Sequence, residues 1–111
     1  MKGITREELA ALIESFKLPC EYDHFDDNTP QVPPYICWFL SENTDVHADD
    51  ENYVDKEQLN IELYTDNRDF DLEKSVEYNL KASGISYRKY AEYVNSEKMY
   101  QIAYESEVII L

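Results

Sequence analysis

Glycine is nearly absent: Gly3 and Gly84 are the only two in 111 residues. That scarcity excludes a glycine-rich loop that could wrap backbone N–H groups around a phosphate. Cysteine is as rare, with only Cys20 and Cys37. No basic segment followed by an apolar run opens the chain, so no secretion signal is expected. In a reducing compartment the two cysteines are expected to be reduced core residues rather than a disulfide. No stretch approaches the roughly 18 apolar residues of a membrane span. Positive charge is the last shortage. Ten Lys and Arg stand against 24 Asp and Glu, a net charge of −14. Between Cys20 and Glu57 the acids are Glu21, Asp23, Asp26, Asp27, Glu42, Asp45, Asp49, Asp50, Glu51, Asp55 and Glu57, and the only base is Lys56. Such a field repels phosphate, which argues against direct binding of DNA or RNA and against anionic membrane surfaces.

What is present describes a globular chain. The 43% hydrophobic and 14% aromatic shares argue against disorder. The length suits a single domain, residues 1–111, with one modest core. Ten tyrosines stand out. Tyrosine serves contact surfaces, where its ring is buried and its hydroxyl wet, and it also forms strands well.

The first periodic segment is a helix. Thr5 and Glu8 have the spacing of a capping box, flanked by Ile4 and Leu9 as a hydrophobic staple. Leu9, Leu12, Ile13 and Phe16 form one apolar stripe, and Pro19 is expected to stop the helix. A short strand is expected over 20–25 and a proline-bearing loop over 26–34. The segment "YICWFL", 35–40, is apolar on both faces, so it is expected either to be an interior strand or to have its second face covered by a helix or a partner. Residues 41–52 read as a long acidic loop or arm, a type usually functional or disordered. From about Tyr53 to Tyr64, Leu59, Ile61 and Leu63 alternate with polar residues, as in a half-buried strand. Asp66 and Asn67 supply a turn. Asp69 is the expected N-cap of a second helix, with Asp71 and Glu73 facing its positive end. A thin stripe of Leu72, Val76 and Leu80 ends at Gly84 as the C′ residue. Strands over 85–94 and 99–111 pair as a hairpin; Tyr100, Ile102, Tyr104, Val108 and Ile110 share one face of the last. The expected fold is α+β: a small mixed, mainly antiparallel sheet in the order α-β-β-β-α-β-β, with two helices on one face.

Chemistry finds little support. His24 lies among Asp23, Asp26 and Asp27, and His47 among Asp45, Asp49 and Asp50. Imidazole and carboxylate can ligate a transition metal, yet neither cluster has the spacing of a known site, and solvated loops are the simpler expectation. Carboxylate pairs are too numerous to single out a general acid and base. Cys37 sits in an apolar strand where a thiolate is costly. No catalytic residue, cofactor or metal is therefore expected.

Three stretches carry a resemblance: "YDHFDDNTPQVPPYICWFL", "HADDENYVDKEQLNIELYTDNRDFDLEKSVEYNL" and "GISYRKYAEYVNSEKMYQIAYESEVI". Over about Leu18 to Val108 the chain resembles small prophage proteins of Gram-positive bacteria from the head–tail and tail-assembly gene cluster. These are similar to tail-completion or tail-terminator proteins of long-tailed phages. Phe70 stands where the family often has a proline, which weakens the helix start. The resemblance implies a subunit without catalytic residues that forms a ring, usually a hexamer, at the head–tail junction. Its partners would be further copies of itself, the tail tube protein and the head connector. It would assemble in the host bacterial cytoplasm and reside in the virion neck or tail. Candidate interface residues are Trp38, Asp49, Asp50, Tyr64 and Tyr100. Alternatives from the same residues are a head-side neck adaptor and an acidic DNA-mimic inhibitor of a host nucleic-acid enzyme.

Overall fold

The computed structural model describes residues 2–25, 31–42 and 56–111. Along the chain these form β1 (Lys2–Ile4), α1 (Arg6–Ser15), β2 (Cys20–Tyr22), β3 (Tyr35–Glu42), β4 (Lys56–Thr65), α2 (Phe70–Ala82), β5 (Arg88–Val94) and β6 (Met99–Ile110). The expected α+β class is present, with one strand more than the sequence signals.

Both helices begin as their caps dictate. The Thr5 side chain accepts the Glu8 N–H at 3.0 Å, and the Glu8 carboxylate accepts the Thr5 N–H at 3.0 Å. Two donors that a helix start leaves orphaned are thereby satisfied. The end of α1 comes earlier than Pro19. Lys17 takes a positive φ of 56°, and Phe16 is the last capping residue. For α2, the Asp69 side chain accepts the Leu72 N–H at 3.0 Å. Its far end is closed by Gly84 at φ 76°, with Gly84 N–H on the Lys81 carbonyl (2.9 Å) and Ile85 N–H on that of Leu80 (3.0 Å). Those two bonds make a Schellman motif, and only glycine adopts that φ without a Cβ penalty. Ile85, expected in the next strand, instead seals this cap and enters the core, so β5 begins at Arg88.

The sheet runs β2-β3-β4-β6, and the far side of β6 is shared by two strands. β5 lies antiparallel along residues 99–105, and β1 lies parallel along 108–110. β3 with β4 and β4 with β6 are antiparallel, while β2 with β3 is parallel. β2 is shorter than the expected 20–25 because Asp23 turns the chain at φ 69°, which Asp tolerates better than most side chains. Residues 41 and 42 continue β3 against Gln58 and Glu57. The rest of the expected acidic arm, Asp49 and Asp50 included, lies outside the described residues.

Alternation assigns one sheet face to the helices. Ile36, Leu59, Ile61, Leu63, Ile102, Tyr104 and Val108 are each at most 1% exposed. They meet Leu9, Leu12, Ile13 and Phe16 of the α1 stripe and Val76 and Leu80 of α2 in one core. Burying each such aliphatic side chain contributes about 1.5–3 kcal/mol. Cys20 is registered with Ile36, and Glu21 with Cys37. The two cysteines therefore point to opposite faces and both are free.

Candidate functional site

The face turned away from the helices is built by the same alternation. Register lines up three rows across β3, β4, β6 and β5: Tyr35–Tyr64–Gln101–Glu92, Cys37–Glu62–Ala103–Tyr90 and Phe39–Asn60–Glu105–Arg88. Its β3–β4 end is aromatic. Phe25 meets Tyr35 edge-on with ring centroids 5.2 Å apart, and Tyr35 stacks on Tyr64 at 4.9 Å. The Tyr64 hydroxyl donates to Glu62 Oε1 at 3.0 Å and accepts from Gln101 Nε2 at 2.8 Å. β3 is interior, between β2 and β4, as one of the two expectations had it, and its second face is partly closed by Phe25 and by its own aromatic neighbours rather than by a helix.

Electrostatics keep this face acidic but chemically quiet. Burial raises the Glu62 pKa and Asp23 adds to the rise, while hydrogen bonds from Tyr64 and Gln101 oppose both. Burial, followed by the charge of Glu62, pushes the Cys37 thiol up to about 11. Burial and Glu62 also raise the Tyr64 phenol. At neutral pH the thiol and the phenol are both protonated, so neither is an activated nucleophile. Among the described residues no group of three or more His, Cys, Asp and Glu is placed to hold a metal. His24 is exposed and contacts Asp23 at 2.7 Å; His47 lies outside the described residues. A half-buried aromatic patch rimmed by carboxylates suits contact with another macromolecule.

A second cluster lies on the helix side. Glu73, 1% exposed, receives Arg68 Nη2 on Oε1 at 2.9 Å, Arg68 Nε on Oε2 at 3.0 Å and Lys89 Nζ on Oε1 at 2.9 Å. Lys89 also reaches Glu77 at 2.7 Å, and the buried Tyr104 hydroxyl donates to Glu77 at 2.8 Å. Burial alone would raise the Glu73 pKa, but Arg68 and Lys89 outweigh it and hold the carboxyl below its usual range. In the sequence, Glu73 signals only an interaction with the helix dipole. The missed signal was its position, three residues before Val76 and seven before Leu80, on the stripe that faces the core. The cluster ties α2 to β5 and β6 and fixes the course of β5.

The sequence candidates do not gather into one patch. Trp38 lies on the helix side, half-buried, with Tyr22 edge-on to it at 4.9 Å. Tyr64 belongs to the opposite face. Tyr100 is on the helix side, 5.0 Å from Tyr93 between ring centroids, and its ring lies 6.0 Å from the Arg68 guanidinium.

No family model matches the chain, and no curated protein matches it. A solved structure does. A chain from the virion of the native gene transfer agent particle aligns with a TM-score of 0.56 at 19% identity, covering 89% of this chain and 81% of that one. The two share a fold. The likeness spans most of both chains rather than one hairpin.

Proposed function

We propose that the chain is a structural subunit of a phage-like particle, a tail-completion or tail-terminator protein that assembles as a ring, six copies in the usual arrangement, at the head–tail junction. The observation that carries this is the fold shared with a chain of a gene transfer agent virion. The resemblance of three long stretches to small prophage tail-assembly proteins supports the finer assignment. A protonated thiol and phenol on a contact-type surface are compatible with a subunit whose product is shape rather than reaction. Its partners are copies of itself, the tail tube and the head connector. Glu62, Glu92 and Glu105 share the face turned away from the helices; on the lumen of a ring, carboxylates repel passing DNA and keep it from adhering.

The test mixes the purified protein with tubes of the tail-tube protein from the same phage-like particle, read by co-sedimentation and electron microscopy. Rings seated on tube ends are the expected result. Binding to the head connector with no affinity for tubes would reassign the subunit to the head side of the neck. Tight, salt-sensitive binding to a basic nuclease, again without affinity for tubes, would replace the structural reading with that of a DNA mimic.

A further inference from the structure

β5 is an edge strand whose side chains carry a self-complementary charge pattern. All its residues are exposed except half-buried Val94. Among the described residues no strand pairs with its outer edge. Alternate residues of its seven turn their N–H and C=O groups outward, and these groups have no backbone partner among the described residues. Long exposed edges of this kind pair with other chains unless their side chains forbid it. β5 does carry charges, Arg88, Lys89 and Glu92, but Lys89 turns inward to Glu73 and Glu77, and Arg88 and Glu92 are spaced to complement each other across a pair of copies. On the face turned away from the helices the order is Arg88, Tyr90, Glu92: a cation, an aromatic ring and an anion at alternate positions. Neither Arg88 nor Glu92 has an ion-pair partner among the described residues.

We infer that the β5 edge pairs antiparallel with β5 of a second copy of this chain, about a twofold axis at Tyr90. That register sets Arg88 opposite Glu92 of the second copy twice over, flanking a Tyr90 pair. Directly opposed side chains in antiparallel strands have Cβ atoms about 4.5–5.5 Å apart, where opposite charges stabilise and like charges destabilise. Neighbouring registers are worse. One residue along in one direction, Lys89 faces Lys89, and two along, Arg88 faces Arg88; in the other direction, Ala91 faces Ala91 with no opposite charges paired, and then Glu92 faces Glu92. A twofold pairing also keeps the helices of both copies on the same side of one continuous sheet, so nothing folded must move. The contact is isologous and closes with two copies. It describes the free subunit and does not depend on the ring reading, whose head-to-tail contacts need two different surfaces.

Sedimentation equilibrium over a concentration series tests it. The parent protein should show a monomer–dimer equilibrium. Arg88→Glu and Glu92→Arg should each weaken the dimer about tenfold or more, since each replaces both attractive pairs by repulsive ones. The double variant Arg88→Glu/Glu92→Arg should return to near the parent affinity. Overall charge cannot imitate this pattern: Glu92→Arg lowers the net negative charge, so general repulsion alone would make that variant associate more tightly. Circular dichroism of every variant guards against misfolding. As a second measurement, Tyr90→Cys should form a disulfide-linked dimer on mild oxidation. A parent that stays monomeric, as an edge covered by the chain's own residues would give, overturns the pairing. So do a tighter dimer in Glu92→Arg and failure of a folded double variant to recover.

Discussion

Replacing Glu73 by Gln keeps the shape of a buried side chain and removes its charge. The carboxylate is 1% exposed and holds three short contacts, two from Arg68 and one from Lys89. Breaking a buried ion pair by deleting one partner costs about 3–5 kcal/mol. Two features reduce that figure. The Arg68 and Lys89 side chains are 30% and 33% exposed, and Lys89 keeps Glu77 at 2.7 Å. The expected loss is therefore about 2–3 kcal/mol, and for a chain of this size a fall in Tm of about 8–12 °C. The dependence on pH is more diagnostic. The folded-state pKa of Glu73 lies below its usual value of 4.5. Its contribution is fully present above that value and disappears as pH falls through the lower, folded one. Glu62 has the opposite sign, since its pKa is raised and its ionised form costs stability, but it is common to both proteins and cancels in the difference. Urea unfolding followed by circular dichroism from pH 7 to pH 3 should show a parent-minus-variant gap that is widest at neutral pH and narrows in acid. A gap that stays constant over that range, or a Tm within about 2 °C of the parent at pH 7, would refute the reasoning.

Thr5→Ala removes half of the α1 capping box and should cost about 1 kcal/mol; an unchanged urea midpoint would mean that the cap adds nothing. Leu63, fully buried on the helix face, should cost about 2–5 kcal/mol as Leu63→Ala. A loss below 1 kcal/mol would imply a core that closes over the gap. Cys37, buried and with its thiol pushed up to about 11, should react with an aromatic disulfide reagent at pH 8 only after unfolding, because the thiolate is the reactive form. Rapid reaction of Cys37 in a native Cys20→Ser protein would contradict both its burial and its protonation.

Elements with strong local signals were legible in the sequence. The Thr5–Glu8 box, the Asp69 cap, Gly84 and the alternation through Leu59, Ile61 and Leu63 each follow from rules of a few residues. β1 was not legible, because three residues carry no periodicity and Ile4 was already accounted for as a staple. β2 was read too long, because the left-handed turn at Asp23 is set by its surroundings. The buried ion cluster escaped for a related reason: one carboxylate on an apolar stripe acquires meaning only when Arg68 and Lys89 arrive from other elements. The scattered placement of Trp38, Tyr64 and Tyr100 shows a similar limit. An aromatic in a strand declares itself a packing residue, but which side of the sheet it occupies is decided by pairing.

The shared flank of β6 also sets an order of events in time. Lys2 is in register with Val108 and Ile4 with Ile110, and the Leu111 N–H reaches the Ile4 carbonyl at 3.0 Å. During synthesis the first of these strands emerges early and must wait, unpaired, until the stretch it borders has been made. β5 and the start of β6 can meet sooner, since the tight turn between Val94 and Met99 brings them together locally. Contacts that join such distant positions require a large loop to close first, which slows folding relative to helical proteins of similar length. A nascent chain halted before residue 108 would present α1 tethered to a loose strand, with the apolar Ile4 unsheltered. β6 therefore secures β1, and chains halted before residue 108 would be marked for capture by chaperones or proteases.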